Sequence, residues 1–506
     1  MKQRSARGTR LALMCALLTS TLAHAQGLTA KQDAYVRKVA EAADLASSDR
    51  AEEACRVIRR LRKDDVFDTL SREAKAAVQA DAGYVFMRCD KPAEALPELK
   101  AATAVKPEFW STANLAAAGE SLKDWDVAAG AMIELAGRWP DQLEEKWASL
   151  AWRAFHGLKD RPARQTELFQ ALFDARYETT SGDGSAMWLE LARLHLDAGD
   201  VERARTAASR VMGGSNIVQM RIDRRFDPIV VRDARAFDAR ASEERLVDKL
   251  RKQSLARPRD MNVWIQLTYA LLAVGEHQAV IDEATRVLDA VAPANGRKGD
   301  AQKWKDADDF VWVLNNRAIA HARLGNVDAA IADLRRAAAS GEDGVPNVSQ
   351  ALNLGSLLCN AGRPDEAERQ VNIDSEYMAP YGKLVQAMVR LCAAAQRGDR
   401  AGVEKHAGFI QKNAEPMHAT TLLESYLWSG DLAAAERVYL ELLADTARRG
   451  DALEFAQLGN RMPGMTGRAI FDRNRAELLA RPAVVAKINE VGRVEKVDLY
   501  LDLGFE

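Results

Sequence analysis

Histidine, cysteine and serine often carry acid–base or covalent chemistry, but here their spacing matches no catalytic arrangement that we can recognise. The 506-residue sequence has no His-Glu-x-x-His zinc motif, no glycine-rich phosphate loop followed by lysine, and no Gly-x-Ser-x-Gly nucleophile motif. It also has no Cys-x-x-Cys pair, which disfavours thioredoxin-like redox chemistry and c-type haem attachment. We therefore predict a protein that is not an enzyme, with no catalytic residues, no cofactor and no metal site.

The cysteines are nevertheless informative. One of the five, Cys15, lies in an N-terminal segment that we expect to be removed. The others form two pairs, 34 and 33 positions apart: Cys55 with Cys89, and Cys359 with Cys392. Of the seven histidines, the six that follow this segment are never four residues apart, so none forms a helical pair suited to a metal.

The N-terminus has the pattern of a secretory signal peptide. Four basic residues precede the apolar run LALMCALLTSTL (11–22), which is too short to span a bilayer. Ala23 and Ala25 then place small residues where a signal peptidase cleaves, which predicts cleavage before Gln26. The alternative is a short N-terminal helix. We expect a periplasmic or secreted protein.

Composition describes a folded chain without a nucleic-acid partner. Charged residues are 28% and apolar residues 47%, the balance of an ordinary globular protein. The net charge is −2, whereas a general nucleic-acid binder would carry a basic surplus. After the signal segment no run approaches 18 consecutive apolar residues, so we predict no transmembrane segment.

The elements that must position all these residues are repeated helix pairs. The segment MWLELARLHLDAGDVERARTAASRVM, from Met187, reads as two helices joined by Gly199-Asp200. Segments with the same spacing turn at Gly275, Gly325 and Gly362. Weaker copies turn at Asp90, Lys123, Gly398 and Gly430. Neighbouring turns lie 32–37 residues apart where the copies are consecutive.

This pattern resembles the tetratricopeptide (TPR) repeat, a helix-turn-helix of about 34 residues. Small residues recur where the two helices of a pair would cross, at Gly83, Ala192, Ala318 and Gly355 in the first helix. A turn glycine can take positive φ at little cost, and Pro107 and Pro140 would stop second helices. The resemblance covers most of residues 30–445 and implies an all-α solenoid, in two stacked arrays.

The repeat predicts where the cysteines and the large side chains lie in the fold. Because each cysteine pair is about one repeat apart, Cys55–Cys89 and Cys359–Cys392 are the favoured disulfides, with four buried free thiols as the alternative. His195 and Trp188 occupy apolar positions of one repeat and are predicted to be packing residues, as are His321 and Trp264 in others. The remaining tryptophans are predicted to pack between repeats or, for one or two, to be exposed in a groove.

The resemblance also implies a candidate peptide site. In TPR proteins that clamp a terminal carboxylate, asparagines and basic residues on the inner helices do the clamping. The corresponding candidates in this sequence are Asn315, Asn316, Arg317, Arg323, Asn353 and Asn360. Asparagine at these positions also serves packing, and that alternative stays open.

Several segments depart from the repeat. Polar insertions occupy 177–186, 292–308 and 341–347, and RRFDPIVVRDARAFDAR (224–240) resembles the tails that close bacterial TPR arrays. We predict a signal peptide (1–25), an N-terminal array (26–212), a linker or cap (213–260), a C-terminal array (261–470) and a C-terminal cap and tail (471–506). Within the tail, VDLYLDLGFE (497–506) alternates apolar and polar residues, which fits either a short strand or a disordered or packed tail.

These features together predict an exported, non-enzymatic scaffold that binds a protein or peptide in a concave groove. Its partner would be another envelope protein. The alternative is an accessory subunit of envelope polysaccharide assembly or export, with glycan held on a tryptophan-lined patch.

Overall fold

The computed structural model describes residues 28–48, 50–144, 146–179, 183–291, 304–341, 347–414, 418–457, 462–501 and 504–505. The predicted signal peptide and its cleavage site before Gln26 lie outside these residues. So do parts of the three predicted polar insertions. The described residues divide into two compact units, Met1–Thr179 and Thr180–Glu506.

All regular structure in the described residues is helical, which confirms the predicted fold class. The helices of the first unit are α1 (Ala30–Ser47), α2 (Ala51–Leu61), α3 (Val66–Thr69), α4 (Arg72–Arg88), α5 (Pro92–Val105), α6 (Phe109–Ser121), α7 (Trp125–Arg138), α8 (Trp147–Gly157) and α9 (Pro162–Asp174). The second unit begins with α10 (Asp183–Asp197), α11 (Val201–Ala208), α12 (Gly214–Ile222), α13 (Asp227–Val230), α14 (Ala239–Ala256), α15 (Met261–Ala273), α16 (His277–Val291), α17 (Phe310–Arg323) and α18 (Val327–Ala339). It continues with α19 (Val348–Asn360), α20 (Pro364–Gln370), α21 (Pro380–Arg397), α22 (Arg400–Asn413), α23 (Ala419–Ser429), α24 (Leu432–Ala444), α25 (Arg449–Ala456), α26 (Ala469–Leu479) and α27 (Pro482–Val491). No described helix is long and apolar enough to cross a membrane.

The eight predicted turns all join consecutive, mutually packed helices, which confirms the TPR-like repeat. The six turn glycines have φ between +68° and +81°: Gly199, Gly275, Gly325, Gly362, Gly398 and Gly430. Asp90 and Lys123 take the same left-handed conformation at φ of 60° and 57°, although they pay a Cβ penalty that glycine avoids. Two further pairs, α1–α2 and α8–α9, lack the turn glycine, and their turns are not among the eight predicted ones.

Small residues bring the paired helices together as predicted. A Cβ on Gly355 of α19 would overlap Val371, just after α20, and would lie 3.3 Å from Val389 Cγ1 of α21. Gly83 of α4 likewise faces Leu99 of α5, whose Cδ2 would lie 2.6 Å from such a Cβ. Each glycine therefore permits a helix spacing that a larger side chain would block.

The second unit closes on itself. Arg193 on its first helix donates to the carbonyl of Ala447, 3.2 Å away, just before α25. Gln219 on α12 donates to Glu454 on α25 at 3.0 Å. Beyond α27, Arg493 donates its backbone N–H to the carbonyl of Ile222 at 2.9 Å. The elements that begin this unit therefore hold those that end it.

The 213–260 region contains helices α12, α13 and α14 and lies wholly inside the second unit. Phe226 and Phe237 are buried there, at 1% and 7% exposure. The predicted division into arrays at this segment stays a prediction.

The C-terminal tail forms no strand in its described part. It has no regular structure, bends at Asp498 and Leu499, and packs against helices on one side, with Leu499 buried and Val494 and Asp498 exposed. The alternation in the sequence therefore reflects a helical surface on one side of the tail and solvent on the other. Of the two predicted alternatives, the described part of the tail matches the packed tail and not the strand.

Candidate functional site

Three of the six predicted groove residues form a ladder between successive first helices. Asn316 on α17 donates to Thr268 Oγ1 on α15 at 2.8 Å. Asn353 on α19 donates to Asn315 Oδ1 on α17 at 2.9 Å. Because Asn315 and Asn316 are buried, these bonds satisfy amides that would otherwise be costly to bury. Binding of a carboxylate by these residues stays a prediction.

Arg317 makes a bidentate ion pair within its own repeat. Its Nη2 and Nε lie 2.6 and 2.8 Å from the two carboxylate oxygens of Asp333 on α18. Its Nη1 also donates to Thr285 Oγ1 on α16 at 2.9 Å. The side chains of Arg317 and Asp333 are only 15% and 10% exposed, so the pair joins α16, α17 and α18 below the surface.

The remaining two predicted residues, Arg323 and Asn360, contact the C-terminal tail. The guanidinium of Arg323 lies over the ring of Tyr500, with 4.9 Å from Cζ to the ring centroid. Asn360 donates through Nδ2 to the carbonyl of Phe505. Both residues end first helices, at α17 and α19. The structure therefore places these two residues against described parts of the tail, Tyr500 and Phe505, and places the other four between helices.

Tyr500 occupies a position shaped for an aromatic ring. Its backbone N–H donates to the carbonyl of Ala273 at 2.9 Å. Its ring covers Gly275, where a Cβ would stand 2.8 Å from Cε2. The ring of His277 meets it edge-on, with centroids 4.7 Å apart. Burial, and then the charge of Arg323, lower the pKa of His277 below its usual range.

A cleft of about 650 Å³ opens beside the tail in the second unit. Its walls come from α12, α17, α23, α25, α26 and the tail. Its side chains combine acids, arginines and aromatic rings: Glu424, Asp451, Glu454, Asp472, Arg323, Arg468, Arg475, Phe455, Phe471 and Phe505. Such a lining offers apolar anchors together with charges of both signs.

Hydrogen bonds hold the polar wall of the cleft in place. Gln219 Nε2 lies 3.0 Å from Glu454 Oε2 and 3.3 Å from Asp451 Oδ1, so one amide orients both acids. Burial raises the pKa of Asp451, and the charge of Arg193 opposes that rise. Among the described residues no group of three or more histidine, cysteine or acidic side chains is placed to hold a metal ion.

The four cysteines lie at disulfide distance in the two favoured pairs. The Cα atoms of Cys55 and Cys89 are 6.6 Å apart, and those of Cys359 and Cys392 are 6.4 Å apart. The second pair joins α19 to α21, two successive first helices, next to the cleft wall. The spacing of about one repeat thus corresponds to neighbouring elements in the fold.

The tryptophans are buried or half-buried, with four of the ten in the first class and six in the second. Trp188 and Trp264 are 4% and 3% exposed, as core positions should be. None of the ten tryptophans is exposed. His195 is buried, at 3% exposure, and His321 is half-buried.

Sequence reasoning missed the tail and the cleft acids. Tyr500 and Phe505 gave one signal, the period-two alternation of the last ten residues. Asp451 and Glu454 gave no signal in the sequence, because their hydrogen bonds with Gln219 form only when the two ends of the unit come together.

No family model and no curated protein matches this sequence. Solved helical repeat structures are similar to it. The APC/C hetero-tetramer Cut9–Hcn1 is 14% identical over 93% of this chain and 97% of that one, with a TM-score of 0.27. A Rap protein complexed with competence and sporulation factor is 14% identical over 91% and 99%, with a TM-score of 0.29. Yeast Tom70 is 12% identical over 83% and 100%, with a TM-score of 0.23.

At these values the likeness gives no functional argument. The repeat class rests instead on this chain's own helix pairs, turn conformations and close crossings. By those features the chain is an α-solenoid of TPR-like repeats, with a mixed polar and aromatic cleft in its second unit.

Proposed function

We propose that this chain is a non-enzymatic, exported scaffold that binds a protein or peptide partner in the cleft of its second unit. The single observation that carries the proposal is that this unit already holds a non-helical segment of polypeptide, its own tail, beside the cleft. The tail is held by backbone hydrogen bonding at Ala273 and by side-chain contacts from Arg323 and Asn360. A surface that accepts one non-helical segment of polypeptide has the chemistry to accept another.

The size and lining of the cleft support a binding role. Its volume of about 650 Å³ lies within the range of about 300–1,000 Å³ that is usual for ligand sites. Phe455, which is half-buried, offers apolar contact, while Glu454 and Arg468 can fix the orientation of a polar backbone. Aromatic residues and arginine are the side chains that most often anchor protein partners.

Export is supported by the predicted signal peptide and by the cysteine pairs. Two pairs at disulfide distance are compatible with an oxidising compartment. The partner would then be another protein of the cell envelope.

The polysaccharide alternative requires an aromatic platform open to solvent. None of the ten tryptophans is exposed. Tyr381, which is 50% exposed and stacked on His418 with centroids 5.2 Å apart, is one small platform near the cleft. A protein partner is therefore the better-supported function, and glycan capture is an outcome of the test.

The test is site-specific photocrosslinking in the native host compartment. A benzophenone amino acid replaces Thr420, an exposed residue of the cleft wall, and in a matched control it replaces Glu441, an exposed residue of α24 outside the cleft. We expect discrete polypeptide adducts from position 420 and none from position 441, with the partner identified by mass spectrometry. Carbohydrate adducts would favour the alternative, and equal labelling from both positions would contradict a binding site in the cleft.

A further inference from the structure

The C-terminal tail divides into two parts of different chemistry. The tail anchor, Gly492, Arg493 and Glu495, is fixed from several sides. Gln457 donates to the carbonyl of Arg493 at 3.1 Å and accepts from the backbone N–H of Glu495 at 2.7 Å. Arg493 also forms an ion pair with Asp227. These contacts are part of the closure of the unit.

The tail latch, which comprises Leu499, Tyr500, Leu501 and Phe505, makes fewer polar contacts than the anchor among the residues that the structure describes. Its hydrogen bonds are that of the Tyr500 N–H to Ala273 and that of the Phe505 carbonyl with Asn360. Between anchor and latch, the side chain of Asp498 is 84% exposed, and its carboxylate and its backbone carbonyl each lie a long 3.4 Å from Nη1 of Arg240. Asp498, which directly precedes the latch, is therefore held only weakly by the rest of the unit.

The latch seat, formed by Ala273, Gly275, His277, Arg323 and Asn360, is built for an aromatic residue. Gly275 leaves room for the ring, His277 meets its edge, and Arg323 lies over its face. The backbone of the occupant is read at Ala273 and Asn360. None of these features depends on the occupant belonging to the same chain.

The tail also leaves part of the seat unsatisfied. His277 is 6% exposed, and neither Nδ1 nor Nε2 has a hydrogen-bond partner. A buried polar group without a partner weakens the assembly that buries it. An occupant that offers a hydroxyl or carbonyl to His277 would bind this seat better than the chain's own latch.

Displacing the latch would also change the cleft, because Leu501 and Phe505 form part of its wall. We propose that the latch is a built-in competitor for the partner. The partner is an extended peptide that inserts an aromatic side chain over Gly275 in place of Tyr500, and its entry opens the cleft. This inference rests on the proposed function and specifies the class of partner and the way in which binding is controlled.

The test measures peptide binding to the full mature chain by fluorescence anisotropy. The probe is a labelled peptide of residues 493–506, and a matched peptide carries Tyr500→Ser. The protein variants are Tyr500→Ser, which weakens the latch and leaves the seat intact, and Val494→Ser, which alters a 48% exposed residue of the same tail. We expect the Tyr500→Ser chain to bind the probe at least tenfold more tightly than the natural chain. The Val494→Ser chain should bind the probe with the same affinity as the natural chain. The serine peptide should bind none of the three chains.

Equal affinity of the probe for the natural and Tyr500→Ser chains would overturn the proposal. Loss of the folded second unit in Tyr500→Ser, seen as lost helical circular dichroism, would also overturn it, since the latch would then be part of the core. Hydrogen exchange on the natural chain is the independent readout: the Tyr500 amide should exchange at least tenfold faster than the Arg493 amide, and equal rates would contradict a separable latch. Crosslinking from Thr420 does not use the latch, so it reports separately on the proposed function.

Discussion

Replacing Gly355 by leucine tests the helix crossing that defines the repeat. Gly355 lies in the middle of α19, and a Cβ there would overlap Val371 and lie 3.3 Å from Val389 Cγ1. A leucine side chain adds further atoms in the same direction. Neither valine can withdraw freely, because Val371 and Val389 are buried at 0% and 3% exposure. The substitution must therefore push α20 and α21 away from α19.

The expected cost follows from two opposing effects. Leucine in place of glycine favours an α-helix by roughly 0.8 kcal/mol in an exposed interior position. Overpacking a well-filled core costs about 1–3 kcal/mol net in measured substitutions. Gly408 of α22 provides the matched control, since it is exposed and a Cβ there would meet nothing within 4 Å. Gly408→Leu should stabilise by the helix-propensity term alone, and the two variants should differ by roughly 2–4 kcal/mol.

The assay is urea denaturation followed by circular dichroism, together with hydrogen exchange resolved by peptide. Gly355→Leu should lower the free energy of unfolding and raise exchange in α19, α20 and α21. Gly408→Leu should raise the free energy of unfolding and leave those helices unchanged. A Gly355→Leu chain as stable as the natural one would show that α19 and α20 do not cross at this residue, and the close-packed repeat would be wrong there.

Three further predictions concern covalent links, charge and pH. Replacing Cys359 and Cys392 by alanine should lower the free energy of unfolding by about 3–4 kcal/mol, the chain-entropy value for a loop of this length. Four free thiols in mass spectrometry of unreduced protein would contradict this prediction, because no disulfide would then be lost. Asp333→Asn should cost about 3–5 kcal/mol, because it leaves Arg317 charged and without its partner below the surface; a change below 1 kcal/mol in urea denaturation would contradict that burial. Burial first, and then a neighbouring arginine, lower the pKa of His277 in the folded state, so its contribution to stability should be complete above its ordinary pKa of about 6.5 and be lost as the pH falls towards the lowered value. His277→Gln should flatten the dependence of the melting temperature on pH. If that dependence were unchanged in the variant, His277 would not be its source.

The repeated helix pairs could be predicted because their signals are local. The apolar spacing, the turn glycine and the small residue at each crossing fall within about 34 residues, so one copy of the repeat contains all of them. Gly275 and Gly325, for example, could be recognised as turn residues because each lies at the same place within its own copy of the repeat. The α8–α9 pair was missed because its turn has no glycine, and the chain reverses there at Leu158 and Lys159 without positive φ.

The cleft and the latch seat could not be predicted, because distant residues form them. Gln219 and Glu454 meet across 235 positions, and Asn360 and Phe505 across 145. No periodicity relates such pairs. The asparagines implied by the family resemblance were easier to find from sequence, yet two of them, Asn315 and Asn316, lie buried between helices, and only Asn360 reaches the tail.

The closure of the second unit has a consequence for how it comes apart. An open solenoid has two free ends, and its terminal repeats can fray independently because each repeat depends only on its neighbours. Here Arg193 and Gln219 near one end are bonded to Ala447 and Glu454 near the other, so neither end is free to peel away first. Such a unit should melt in a single cooperative step, and a repeat could not be inserted or deleted without breaking that seam.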